Sequence, residues 1–158
     1  MDLILLRHGK AEDFHRDGDA SRALVEKGQS QASRAAELLM RGGWLPEIVL
    51  SSRLLRSKQT AEIFCKTAGL PGPLLQGWLD AGMTPEQALG ELAGFVEFKR
   101  LAIVGHEPDF SSLLEWVLGA SGGHVLIKKG ALACIRIQPP SRYGTLRFLI
   151  PPKIADFV

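Results

Sequence analysis

Two histidines and an arginine occupy the positions in this chain that best suit chemistry. Arg7 and His8 directly follow the apolar run at residues 3–6, and His106 comes two residues after a second apolar run, at residues 101–104. Unbroken apolar runs of this length are typical of strands buried on both faces of a parallel sheet, and ligands bind beyond the carboxyl ends of such strands. We therefore expect both histidines at one sheet edge, where Arg7 would favour an anion over a cation.

A third element is expected to bring Arg56 to the same edge. Residues 48–50 (Ile-Val-Leu) are a short strand candidate, and Ser51-Ser52 resembles a helix cap. This pattern predicts a helix over residues 53–67 with Arg56 in its first turns. Taken alone, such an arginine is most often a solvated surface charge.

The remaining periodicity predicts the architecture. Helices are expected over residues 29–41, from a Thr84 cap to about residue 94, and from an Asp109 cap to residue 118. Residues 132–137 and 146–150 are strand candidates that could form a hairpin. Alternating strands and helices predict an α/β fold, a three-layer sandwich with a mostly parallel central sheet and helices on both faces. Residues 1–158 are expected to form a single domain.

Composition narrows the classes of partner. Nineteen basic and 17 acidic residues give a formal charge of +2, which is too near balance to indicate a nucleic-acid partner or a membrane surface. No apolar run approaches the length of a membrane span, and no leader pattern is present. Cys65 and Cys134 are isolated and fit two buried free thiols, so we expect a soluble protein in the reducing cytoplasm.

Several other chemistries are disfavoured by spacing. His106-Glu107 begins like a zinc-protease motif, but Phe110 stands where its second histidine would be. The sequence contains no phosphate-binding P-loop, no paired Cys-x-x-Cys motifs and no Gly-x-Ser-x-Gly elbow. A metal site built from His8, His106 and an acid is an alternative, although the arginines would oppose a cation. We therefore expect neither a metal nor a cofactor.

Three motifs together resemble the histidine phosphatase superfamily, whose fold is also called phosphoglycerate mutase-like. They are Leu6-Arg7-His8-Gly9, the segment Ser51-x4-Arg56-x2-Gln59-Thr60, and Gly105-His106. They occur in the order found in that family, and the similarity covers nearly the whole chain. The short length and Ser21-Arg22-Ala23-Leu24, followed by Gly28, are similar in particular to the SixA-type phosphohistidine phosphatases.

The resemblance implies a role for each matching residue. Neutral His8 would be the nucleophile, and the planar forks of Arg7 and Arg56 would bind phosphoryl oxygens. His106, protonated when phosphate is bound, would add a further donor. Gly9 and Arg22 are expected to contribute to substrate binding. The implied reaction removes phosphoryl groups from a phosphohistidine-bearing protein, such as a phosphotransfer domain, through a phosphohistidine intermediate on the enzyme.

The general acid found in many members of this family has no clear counterpart here. Asp80 is the nearest candidate and is grouped with the substrate-binding residues, while Glu107 and Glu86 are weaker candidates. An alcohol leaving group gains much from protonation, whereas an imidazole can depart already protonated, so a missing acid favours phosphohistidine. The alternatives are a small-molecule phosphomonoesterase of the same superfamily and a non-catalytic module that binds phosphate.

Overall fold

A six-stranded sheet organises the chain in the computed structural model, which describes residues 1–120 and 122–157. The strands are β1 (Asp2–Arg7), β2 (Ile48–Ser51), β3 (Leu74–Leu75), β4 (Arg100–Gly105), β5 (Leu132–Ile137) and β6 (Gly144–Ile150). Their order across the sheet is β3-β2-β4-β1-β5-β6. Strands β1 to β4 are parallel, and β5 runs antiparallel to both of its neighbours. The sheet is therefore mostly parallel, as expected.

Four helices cover the two faces of this sheet: α1 (Glu26–Gly42), α2 (Leu55–Ala68), α3 (Pro85–Leu92) and α4 (Asp109–Leu118). Along β1, Leu3 and Leu5 join the apolar cluster of α3 and α4, whereas Ile4 and Leu6 join the cluster of α1 and α2. Because side chains alternate along a strand, an unbroken apolar run fills both layers. This arrangement confirms the three-layer sandwich.

Two of the predicted helix caps differ in outcome. Thr84 caps α3 as expected, since its hydroxyl accepts the amide hydrogen of Gln87 at 3.2 Å. The expected Asp109 cap is wrong, because Asp109 is the first residue of α4 and its carboxylate accepts the amide hydrogens of Gly82 and Met83 at 2.8 and 3.1 Å. Asp109 thus ties the loop before α3 to the start of α4.

Helix α1 begins three residues earlier than expected, at Glu26, so Gly28 lies in its first turn. A Cβ added to Gly9 would lie 2.8 Å from the Cα of Gly28, and one added to Gly28 would lie 2.8 Å from the amide nitrogen of Lys10. Only glycine at both positions lets the chain that leaves β1 pass directly over the start of α1.

Two smaller observations bear on the setting of the fold. Cys65 and Cys134 are both buried and free, as expected. Among the helices of the described residues, none is both long enough and apolar enough to cross a bilayer.

Candidate active site

The two histidines meet at the carboxyl edge of the sheet. Parallel pairing sets Arg7 opposite Gly105, so His8 and His106 leave neighbouring strands side by side. Their ring centroids lie 5.3 Å apart, and the residues are only 5% and 2% exposed. The expected convergence of the two apolar strands on one pair of imidazoles is present in the structure.

The hydrogen bond of His8 fixes its tautomer. Nδ1 lies 2.8 Å from the carbonyl oxygen of Gly9, which can only accept, so Nδ1 carries the hydrogen and Nε2 keeps its lone pair. The pKa of His8 is low, about 3, and burial is the largest cause. The hydrogen bond to Gly9 raises this pKa, whereas the positive charges of Arg56 and Arg7 lower it further. Desolvation thus contributes more to the low pKa of His8 than the charges of the two arginines do. His8 is neutral at pH 7.

The backbone of Gly9, the residue after His8, is held by helix α2. Its amide hydrogen is donated to the Thr60 hydroxyl at 3.1 Å, and that hydroxyl donates to the carbonyl of Arg56 at 2.7 Å. The expected contribution of Gly9 to substrate binding cannot come from this amide while Thr60 accepts its hydrogen. The contacts instead link the end of β1 to the first turn of α2, which also carries Arg56.

His106 is oriented by a serine that the sequence argument took for a helix cap. Nε2 of His106 lies 2.9 Å from the Ser52 hydroxyl oxygen, which also accepts the amide hydrogen of Leu54 and donates to Asp80 at 3.0 Å. Helix α2 starts at Leu55 without a side-chain cap, so the expected Ser51-Ser52 cap is wrong. The Ser52 hydroxyl instead links His106 to Asp80.

The Ser52 contact leaves the other nitrogen of His106 ready for a ligand. Because the Ser52 hydrogen goes to Asp80, its oxygen accepts from Nε2–H, and a neutral His106 then keeps a lone pair on Nδ1. This Nδ1 is buried and has no hydrogen-bond partner among the described residues. Burial, followed by the charge of Arg56, lowers the pKa of His106 to about 4, while Asp80 raises it. Accepting a proton at Nδ1 would turn it into a donor for an anion.

Asp80 is held as a carboxylate. Burial alone would raise its pKa, but hydrogen bonds from Arg53 and Ser52 outweigh this and hold the pKa below its ordinary value. Arg53 donates through its backbone amide, Nε and Nη2 at 2.8, 2.8 and 2.6 Å. These contacts suit a residue that orients Ser52 and His106, and they disfavour a proton donor or a direct substrate contact.

Glu107 has the opposite electrostatic character. Burial is the main cause that raises its pKa, although a hydrogen bond from Ser111 and the charge of Arg7 oppose the shift. Its Oε1 is buried without a partner among the described residues. Unlike the environment of Asp80, that of Glu107 therefore favours a protonated carboxyl. Glu86 lies in the first turn of α3 and forms none of the contacts described here.

The expected arginines converge through a residue that the sequence argument missed. The carboxylate of Asp19 lies 3.0 Å from Nη2 of Arg56 and 2.6 Å from Nη1 of Arg22, and its carbonyl accepts from Nη1 of Arg56 at 2.9 Å. Asp19 precedes Arg22 by three residues in a polar loop, a spacing that carries no recognisable signal. The structure thus brings Arg22 beside Arg56, and the contribution of Arg22 to substrate binding stays a prediction.

Arg7 completes the group of cations. Its Nη1 donates to the carbonyl of Ile127 at 2.7 Å, and its Nε is buried with no hydrogen-bond partner in the described part of the chain. A buried donor without a partner costs free energy that an anionic oxygen would recover. Across residues 1–120 and 122–157, no group of three or more His, Cys, Asp or Glu side chains is arranged to hold a metal ion.

Comparison with other structures supports the same fold. The protein histidine phosphatase SixA complexed with tungstate superposes with a TM-score of 0.88 at 22% identity, over 98% of this chain and 99% of that one. The α-ribazole phosphatase from Shigella flexneri gives a TM-score of 0.75 at 20% identity, over 96% of this chain and 97% of the phosphatase. At these identities the likeness establishes the fold alone.

Sequence comparison establishes the family. An uncharacterized protein of Picosynechococcus sp. is 33% identical over 146 residues, covering 86% of this chain and 85% of that relative. A 2,3-bisphosphoglycerate-dependent phosphoglycerate mutase of Clavibacter michiganensis is 33% identical over 111 residues, or 66% of this chain but only 42% of the mutase. Residues 3–83, which contain Arg7, His8 and Arg56, match the family model. The chain therefore belongs to the histidine phosphatase superfamily (branch 1).

Proposed function

We propose that this protein is a phosphatase that removes the phosphoryl group from phosphohistidine on another protein, with His8 as the phosphoryl acceptor. The observation that carries the proposal is the bond between Nδ1 of His8 and the Gly9 carbonyl, which leaves a lone pair on Nε2. A neutral imidazole with one free nitrogen is a competent nucleophile. The forks of Arg7 and Arg56 stabilise charge on the oxygens during transfer.

The reaction proceeds in two steps. Nε2 of His8 attacks phosphorus in line, and the bond from phosphorus to the substrate imidazole breaks; that ring leaves neutral when its other nitrogen is already protonated. Water then attacks phosphorus, the bond to Nε2 breaks, and inorganic phosphate departs with both protons of the water. His106, protonated at Nδ1, donates a hydrogen bond to a phosphoryl oxygen in both steps.

The electrostatics of Asp80 support phosphohistidine as the substrate. Its low pKa and its bonds to Arg53 and Ser52 leave it no proton to give to a leaving group. An imidazole leaving group needs none. The structural likeness to a protein histidine phosphatase extends over 98% of the chain and agrees with this substrate class. Two free thiols suit a cytoplasmic setting, where phosphotransfer domains would be the source of substrate.

The decisive experiment is turnover of a phosphotransfer domain phosphorylated on histidine, with and without excess chelator. We expect release of phosphate in both conditions, because arginines compensate the charge, and an acid-labile phosphoryl group on the enzyme after rapid quenching. His8→Ala should abolish both signals while the fold is retained. His15→Ala, which replaces a histidine in the loop between β1 and α1, is the matched control. Activity of His8→Ala equal to wild type would exclude the mechanism, and loss on chelation restored by zinc would favour a metal site.

Glu107 supports a second candidate, a small-molecule phosphomonoesterase. A carboxyl with a raised pKa beside His106 could protonate an alcohol leaving group. If esters are the substrates, Glu107→Gln should reduce their hydrolysis by about 100-fold or more, within the range of general acid catalysis. Asp80→Asn should have the same modest effect on esters and on phosphohistidine. Tight binding of the phosphorylated domain without turnover would indicate a non-catalytic module.

A further inference from the structure

A cavity of about 800 Å³ adjoins the active site at Arg7 and is lined by an unusual concentration of positive charge. Besides Arg7, its basic lining residues are Lys10, Lys27, Arg34, Lys128, Lys129 and Lys153. None of its lining residues in the described part of the chain is acidic, although the sequence as a whole is nearly neutral. We call this feature the basic cavity.

The backbone at two of these lysines, Lys10 and Lys129, is fixed to the strand that carries Arg7. The side chain of Gln31 accepts the amide hydrogen of Lys10 at 2.9 Å and donates to the carbonyl of Lys129 at 3.1 Å, so one residue of α1 joins two walls of the cavity. The next amide, that of Gly130, donates to the carbonyl of Arg7 at 3.1 Å. These hydrogen bonds set the positions of Lys10 and Lys129 relative to Arg7.

The cavity and the active site share one electrostatic field. Lys129 and Arg7 line the same cavity. Burial lowers the pKa of Lys129, the charges of Arg7 and Arg22 lower it further, and Asp13 partly offsets the effect. A cluster of like charges raises the local concentration of anions. An anion in the basic cavity would thus lie next to a phosphoryl group held by Arg7.

We propose that the basic cavity receives acidic side chains that flank the phosphorylated histidine on the partner protein. This inference rests on the proposed function. The cations come from four separate parts of the chain and are mostly exposed lysines, which suit several spaced carboxylates better than one compact polyphosphate, for which planar arginine forks are the better match. Pro151, Pro152 and Ile154 add apolar surface for the carbon chains of those side chains.

The experiment compares wild type with Lys128→Glu/Lys153→Glu, and Lys66→Glu, an exposed position in the last turn of α2, is the matched control. The probes are a phosphotransfer domain phosphorylated on histidine with acidic flanking residues, its version with those residues changed to amides, and free phosphohistidine. We expect the double variant to raise KM for the acidic domain about tenfold at low salt, with little change in kcat. The effect should shrink for the amide version, at high salt and for free phosphohistidine.

Calorimetric binding of the phosphorylated acidic domain separates this inference from the proposed function. If wild type turns over neither substrate, the proposed function fails, but the double variant should still bind the domain about tenfold more weakly than Lys66→Glu does. Equal binding by those two variants would overturn the inference. The inference would also be overturned if the double variant lost as much activity on free phosphohistidine as on the acidic domain. Pyrophosphate that inhibits the double variant tenfold more weakly than wild type would overturn it as well, because the cavity would then bind a second phosphate of a small ligand.

Discussion

Nε2 of His106 lies 2.9 Å from the hydroxyl oxygen of Ser52, and this contact selects the tautomer of the second histidine. The Ser52 hydrogen goes to Asp80, so the charge of Asp80 reaches His106 through one hydroxyl group. Protonation of His106 at Nδ1 is therefore favoured by a carboxylate that does not touch the ring.

Ser52→Ala should reduce kcat/KM by about 10- to 100-fold, which corresponds to losing one buried hydrogen bond to a charged group. Because the missing contact also supports protonation of His106, the alkaline limb of the pH–rate profile, where His106 loses its proton, should move to lower pH. Ser57→Ala is the comparison within the site, since its hydroxyl lies 3.4 Å from the same nitrogen and should matter less. A Ser52→Ala enzyme with an unchanged pH profile would reduce Ser52 to a packing role.

Arg56→Lys should cost about 2–4 kcal/mol of transition-state stabilisation, comparable to removing an oxyanion donor. Lysine keeps the charge but loses the fork that contacts both the carbonyl and the carboxylate of Asp19. Single-turnover rates with a phosphohistidine protein would measure the loss. Arg41→Lys, at the exposed end of α1, is the control. Equal rates for the two variants would limit the buried Arg56 to a structural role.

The buried histidines should make the protein less stable as the pH falls from 7 to 5. The pKa values of His8 and His106 in the folded protein, about 3 and about 4, lie below the ordinary value for histidine. Between pH 7 and 5 the unfolded chain therefore binds more protons than the folded chain, and the free energy of unfolding decreases as the pH is lowered. Each histidine should contribute about 1–2 kcal/mol of this loss. Urea unfolding at pH 7, 6 and 5 would measure the slope.

His8→Ala should remove roughly half of that slope, because one of the two histidines no longer takes up a proton on unfolding. His15→Ala provides the reference for replacing a histidine in a loop. A pH-independent free energy of unfolding between pH 7 and 5 would mean that His8 and His106 are protonated equally in the folded and unfolded chain.

Both cysteines should resist alkylation while the protein is folded. Burial is the main cause that raises the pKa of Cys65 to about 11 and that of Cys134 to about 12, so neither forms the reactive thiolate near neutral pH. Iodoacetamide should leave activity unchanged, and mass spectrometry should find both thiols modified only in denaturant. Inactivation by the reagent in native buffer would indicate that one thiol is accessible.

Sequence reasoning succeeded where the signal is local. The side chains of β1 and β4 fill both layers of the core, which explains why both strands are unbroken apolar runs in the sequence. The positions of His8 and His106 then follow from the geometry of the strands that precede them. The Thr84 cap is likewise a contact between residues three apart.

The contacts that sequence reasoning missed join residues far apart in the chain. Asp19 meets Arg56 across 37 positions, and Ser52 meets His106 across 54. No residue pattern encodes such contacts, and Ser52 carried a misleading local signal because serine is also common before helices. The basic cavity was invisible for the same reason, since its lysines come from segments more than 100 residues apart.

The contact between Gly9 and Gly28 has a consequence for how this sequence can change. A methyl group on either glycine would push the two backbones apart and displace His8, so each single alanine substitution should be strongly unfavourable. Once one alanine has separated the chains, a second meets less resistance, and the two effects should not add. The two positions are therefore epistatic: the first substitution is strongly destabilising, and the identity of residue 28 in α1 constrains the loop that carries His8.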